Sequence, residues 1–153
     1  MTDNATTFSR VSQTSQPLYG PRKLLICGFT PEGQTALDEV LTTAALADLP
    51  VLYAGSADVE ETLKDLLGRP DQAGRGETSR MPAAIIMAGI TEYELHQLIT
   101  SYRSAGLPNP MWATLTPTSE NWTLRQLLKE LSAERQALKE RNNPADASNE
   151  PSA

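Results

Sequence analysis

Leu24-Leu25-Ile26-Cys27-Gly28-Phe29-Thr30 returns 61 residues later as Ile85-Ile86-Met87-Ala88-Gly89-Ile90-Thr91. At the same offset Val51–Ala54 falls on Trp112–Leu115, and Thr62-Leu63-Lys64-Asp65-Leu66-Leu67 falls on Thr123-Leu124-Arg125-Gln126-Leu127-Leu128. Nine of 44 ungapped pairs are identical, and the core pattern is kept throughout. Leucine spacing and capping threonines shared by any two such units are the plainer alternative. One unbroken offset across four elements favours an internal duplication, because self-similarity at a fixed period marks repeated structural units.

Each half alternates short apolar runs with helical patterns. Lys23–Cys27, Pro50–Ala54, Ala83–Ala88 and Met111–Leu115 are too short for buried helices and are bounded by Gly, Pro or Thr, so they read as strands. Near-continuous apolarity suits parallel strands covered on both faces. Thr30 followed by Pro31 signals one helix start, Ser56 another, and Thr91…Glu94 and Thr123…Gln126 have capping-box spacing. Gly68, Gly106 and Asn142-Asn143-Pro144 mark the stops.

The expected fold is a single three-layer α/β/α domain, a four-stranded parallel sheet built from two duplicated βαβα halves with right-handed crossovers. The economical strand order is 2-1-3-4, as in flavodoxin- and Rossmann-like folds. The first and fourth helices would share one face, the second and third the other. The domain spans 23–141, with halves at about 23–68 and 84–141 and a flexible linker over 69–82. Residues 1–22 and 142–153 hold too little apolar area to offset ordering entropy and read as disordered tails.

The 153 residues carry net charge -6, one cysteine and one histidine. That balance argues against nucleic-acid or membrane-surface binding, and the cysteine count excludes a disulfide framework. A lone histidine, His96, leaves few ways to build a metal site, so no metal and no cofactor are expected. Without a signal-like or membrane-spanning apolar segment, the expected location is cytoplasmic. Gly28-Phe29-Thr30-Pro31-Glu32-Gly33-Gln34-Thr35 nearly spells a phosphate-binding loop, but glutamine replaces the lysine and a carboxylate sits in the cradle. Cys27 reads as buried and inert, so no catalytic residue is assigned.

In an open parallel sheet, ligands bind beyond the strand carboxyl ends where the winding reverses. Gly28 and Thr30, with Gly89 and Thr91, would flank that point. Beyond the fourth strand, Thr116-Pro117-Thr118-Ser119-Glu120-Asn121-Trp122-Thr123-Leu124 would add hydroxyls and an amide from Thr116, Thr118, Ser119 and Asn121. Pro117 stiffens this loop, and Trp122 stands where an apolar residue staples a helix start.

With Ile85–Met87, Gly106-Leu107-Pro108, Met111–Leu115 and Leu127–Glu134, that loop resembles the bacterial domain-of-unknown-function family 3783. The family pattern is an apolar strand, a helix ending Gly-apolar-Pro, an Ala-rich strand, then Thr-Pro-Thr-Asn and Trp-Thr-Leu opening an acidic helix. The likeness covers roughly Ala84 to Glu134, with Ser119 where the family has Asn. It implies kinship of fold and no activity.

The expected function is a non-catalytic ligand-binding or regulatory module for a small anionic or hydroxylated ligand. The alternative is a structural or protein-interaction adaptor, or a homodimer through Leu131 and Leu138 on the overhanging last helix. Lys23–Gly68 carries -6 alone while Arg69–Ala153 is nearly balanced, so an anion or acidic partner would favour the second half.

Overall fold

Every helix begins beside a threonine. The Thr30 hydroxyl accepts the Gly33 N–H at 3.1 Å, and Pro31 opens helix α1 (Pro31–Thr43). Thr62 accepts the Asp65 N–H at 3.2 Å ahead of the short α2 (Leu63–Leu67). Ser56, expected in that role, instead opens a single 3₁₀ turn, Ser56–Asp58. At α3 (Glu92–Ser104) the capping box closes: Thr91 accepts the Glu94 N–H at 3.1 Å, and the Glu94 carboxylate accepts the Thr91 N–H at 2.9 Å. Thr123 accepts the Gln126 N–H at 3.1 Å ahead of α4 (Leu124–Arg141). The structure is a computed structural model that describes residues 16–77 and 79–141. The tails expected over 1–15 and 142–153 lie outside the described residues.

Strands β1 (Lys23–Cys27), β2 (Val51–Ala54), β3 (Ala84–Ala88) and β4 (Met111–Thr114) form one open sheet in the expected order, β2-β1-β3-β4. The pairs β1–β2 and β3–β4 are parallel. The central pair β1–β3 is antiparallel, so the sheet is mixed and the wholly parallel expectation is overturned.

The cause lies between β2 and β3. Helix α2 has five residues, about 7.5 Å of length. It ends at the foot of β1, where the Lys23 ammonium donates to the Leu67 and Arg69 carbonyls at 2.9 and 2.6 Å. The chain then climbs the outer edge of β2. Val51 N–H donates to the Asp71 carboxylate (2.8 Å), Gln72 N–H to Val51 O (2.6 Å) and Tyr53 N–H to Ala73 O (2.8 Å). Met81 and Pro82 then pack on Gly28 at the head of β1, and β3 starts from that end. A helix crossing the whole sheet would have delivered β3 to the foot. The 69–82 segment, expected as a flexible linker, reverses that delivery while covering an edge.

Antiparallel pairing sets Leu25 opposite Ile86, with Leu24–Met87 and Ile26–Ile85 on either side. Leu25 and Ile86 are themselves 61 positions apart, so the pairing is two-fold in the numbering. The bridge Thr62–Thr123 follows the same rule, with Leu63 N–H donating to Trp122 O (3.0 Å) and Leu124 N–H to Glu61 O (2.9 Å). A two-fold normal to the sheet preserves its faces. Helices α1 and α3 therefore share one face and α2 and α4 the other, correcting the expected partition. One cluster joins Leu24, Ile26, Val51, Ile85 and Met87 to Leu37 and Leu98. The other joins Leu25, Cys27, Leu52 and Ile86 to Leu63, Leu66, Leu124 and Leu127. Burial on both faces explains why the strands do not alternate.

Residues 16–22, placed by composition in a tail, are part of this body. Leu18 N–H donates to Ile90 O at 2.7 Å, Gly89 N–H to Tyr19 O at 3.1 Å, and Arg22 pairs with Glu94 at 2.6 Å. Against Gly89 they take the place that Met81 and Pro82 take against Gly28.

Candidate functional site

The antiparallel seam separates the two turns that were to flank one site. Gly28 follows Cys27, which pairs with Ala84, whereas Gly89 follows Ala88, which pairs with Lys23. The turns therefore leave opposite ends of the sheet, roughly 20 Å apart along the strands at ~3.3 Å per residue. Each is already filled by the chain. Gly28 has φ +74° and a Cβ there would strike Met81 and Pro82; Gly89 has φ +65° and a Cβ would strike Gly20, Pro21 and Arg22. The Thr30 and Thr91 hydroxyls are engaged as caps. The start of α3 also has its own anion, because Arg22 and the Thr91 groups hold the Glu94 carboxyl below its ordinary value.

Beyond β4, Thr116 and Ser119 bind each other. The Ser119 hydroxyl accepts the Thr116 N–H at 3.0 Å, the two hydroxyls lie 3.0 Å apart, and Thr116 Oγ1 accepts the Ser119 N–H at 2.9 Å. Ser119 is buried, so this ring satisfies groups that would otherwise be orphaned in the loop. Thr118 and Asn121 are exposed on the same loop. Trp122 packs against the α2–α4 core, as a helix staple should. Because β3 and β4 are parallel, Gly89 and Thr116 leave the same end of the sheet; Gly28 and Thr30 are not brought to them.

Helix α4 runs back beside β4 as far as Asn109, whose carbonyl accepts from Arg135 at 2.9 Å. Strand and helix enclose a groove of about 350 Å³ that takes in Trp112, Thr114, Trp122, Leu131, Glu130 and Glu134, with Thr116 and Ser119 at one end. Met111 and Leu115 donate to Ala83 O and Met87 O, each at 2.9 Å. Alternation along the strand then turns the backbone groups of Trp112 and Thr114 outward. Among the described residues, no hydrogen bond reaches them. On the other edge, the corresponding groups of Val51 and Tyr53 are covered by residues 71–73. The open edge was not foreseen, since nothing in the β4 side chains distinguishes a covered strand from a bare one.

Nothing in the body is poised for chemistry at Cys27. Burial, with a smaller effect from Asp58, pushes its thiol up to about 12. Among the described residues no three His, Cys, Asp or Glu side chains gather as a metal site. The part of the chain that forms β3, α3, β4, the Thr116–Asn121 loop and most of α4 has a match among known families. Residues 83–138 match the family model for a domain of unknown function, DUF3783. The DUF3783 segment takes in one strand-helix-strand-helix unit and the whole groove. No curated protein and no solved structure matches the chain.

Proposed function

We propose that this protein is a non-catalytic protein-interaction module that docks its partner along the β4 edge and α4. The observation that carries the reading is the difference between two otherwise corresponding edges: residues 71–73 cover β2, while Trp112 and Thr114 of β4 face a groove. Open strand edges pair readily with another extended chain. The ligand-binding alternative needs both glycine turns at one place, and the seam sets them at opposite ends. The proposal includes an origin of the two units by duplication, supported by the 61-residue rule in their pairing. It also includes a cytoplasmic setting, supported by a lone buried thiol that suits a reducing compartment.

Thr114→Pro tests the docking. Its N–H faces away from β3, so proline removes the outward donor without breaking an inner bond. Immobilised wild-type protein should retain a partner from extracts of the cells that make it, and the Thr114→Pro form should lose it at unchanged urea midpoint. Equal capture by two equally stable proteins would refute the reading.

A further inference from the structure

The covered β2 edge shows what kind of segment an edge of this sheet accepts. Residues 71–73 supply backbone and one carboxylate to Val51 and Tyr53, and Arg75 turns sideways onto the flanking helix. Its guanidinium pairs with Asp38 of α1, donates to Gln72 Oε1 at 2.9 Å and stands 5.9 Å from the centre of the Tyr53 ring. The three elements are strand-edge backbone, an aromatic ring and a helix carboxylate that takes a cation.

The β4 groove offers groups of the same three kinds without the segment, its ring and carboxylates on the α2–α4 face rather than the α1–α3 face. Trp112 and Thr114 supply the backbone, Trp122 the ring, and Glu130 and Glu134, one helical turn apart on α4, the carboxylates. Both glutamates are exposed, and among the described residues neither is in an ion pair. Building on the docking reading, we infer that the groove binds an extended partner segment carrying arginine or lysine, which adds as a fifth strand and lays its cation between Glu130 and Glu134. Main-chain bonds to an edge give such a complex its affinity, and the side-chain pocket gives its selectivity. The local charge is opposite to what the near-balanced second half suggested for a partner. A second copy offering its own β4 would set two pairs of glutamates side by side, which disfavours it.

The test titrates ¹⁵N-labelled full-length protein with two blocked hexapeptides, acetyl-Val-Thr-Arg-Thr-Arg-Val-amide and its counterpart with glutamates for arginines. The arginine peptide should shift the Trp112 and Thr114 amides and bind at least about tenfold more tightly than the glutamate peptide. Glu130→Gln with Glu134→Gln should erase that preference, and Thr114→Pro, which has no amide of its own at 114, should abolish the Trp112 shift. Equal binding of both peptides, shifts confined to other surfaces, or no shift at millimolar peptide would overturn the inference. So would a dimer that Thr114→Pro dissociates, or Trp112 and Thr114 amides that exchange slowly until residues 1–15 are deleted. If Thr114→Pro loses its captured partner while the arginine peptide does not bind, the partner chemistry fails and the docking reading stands.

Discussion

Replacing Gly28 with alanine distinguishes a turn shaped by packing from one shaped for a ligand. Gly28, Gly89 and Gly106 hold φ of +74°, +65° and +74°. An added Cβ costs each the left-handed penalty, about 1–2 kcal/mol, less roughly 0.5–1 kcal/mol from a stiffer unfolded chain. Nothing lies within 4 Å of a Cβ on Gly106, so Gly106→Ala should cost only about 1 kcal/mol. On Gly28 the same atom would sit 2.7 Å from the Pro82 carbonyl, and backbone there cannot rotate away. By analogy with overpacked cores this adds about 1–3 kcal/mol. Gly28→Ala should therefore lose about 2–4 kcal/mol, a fall of roughly 5–15 °C in Tm. Urea denaturation followed by far-ultraviolet circular dichroism reads all three variants. Gly89→Ala should match Gly28→Ala, and the two should add because they act at opposite ends. The reasoning fails if Gly28→Ala is no more costly than Gly106→Ala.

The remaining predictions use the same apparatus. Ala45, exposed with φ +64°, occupies the helix-end position that Gly106 fills 61 residues on, so Ala45→Gly should raise stability by about 0.5–1 kcal/mol in urea. Cys27 should stay unlabelled by iodoacetamide at pH 8 in native protein and react at the rate of unfolding; rapid native labelling would refute its burial. Arg22 lowers the Glu94 carboxyl and the Val51 N–H lowers Asp71, so both stabilise the fold above the ordinary carboxylate range and lose that effect as pH falls through their lowered values. The effect at Glu94 should be under about 1 kcal/mol because Arg22 is partly exposed. Glu94→Gln should flatten that part of a plot of urea midpoint against pH.

Strand spans, strand order and most helix starts were legible because side chains encode them: apolar runs, a threonine at each cap, and glycine where α2 and α3 stop. The direction of β3 was not, because it depends on where residues 69–82 travel. That path is fixed by backbone bonds from Gln72 and to Ala73 together with the Asp71 and Arg75 side chains, polar residues of a kind that solvated loops carry equally. Gln34 shows the same difficulty. Within a near-miss phosphate loop it looked like a failed lysine, yet it is 2% exposed and ties down the climbing segment through Glu77 O (3.2 Å) and Gly76 N–H (2.8 Å). The sequence holds one further signal. The repeat extends upstream to Pro21 and Pro82, the residues that press on Gly89 and Gly28, and it joins the supposed tail and linker in one role. Of the proposed site, Thr116 and Ser119 were legible as loop hydroxyls, but only their mutual bonds show them to be internal fastenings.

The β1–β3 seam has a consequence for chains shorter than this one. Leu25 faces the residue that stands in its own place in the other unit, so each unit is bound by a surface of its own kind. A polypeptide carrying a single strand-helix-strand-helix unit would leave that central strand unpaired and one side of its core bare. It could complete the sheet by meeting a copy of itself across the same axis. Joining two units in one chain makes that encounter independent of concentration, and lets the two outer edges differ, β2 covered by residues 71–73 and β4 bonded by none of the described residues.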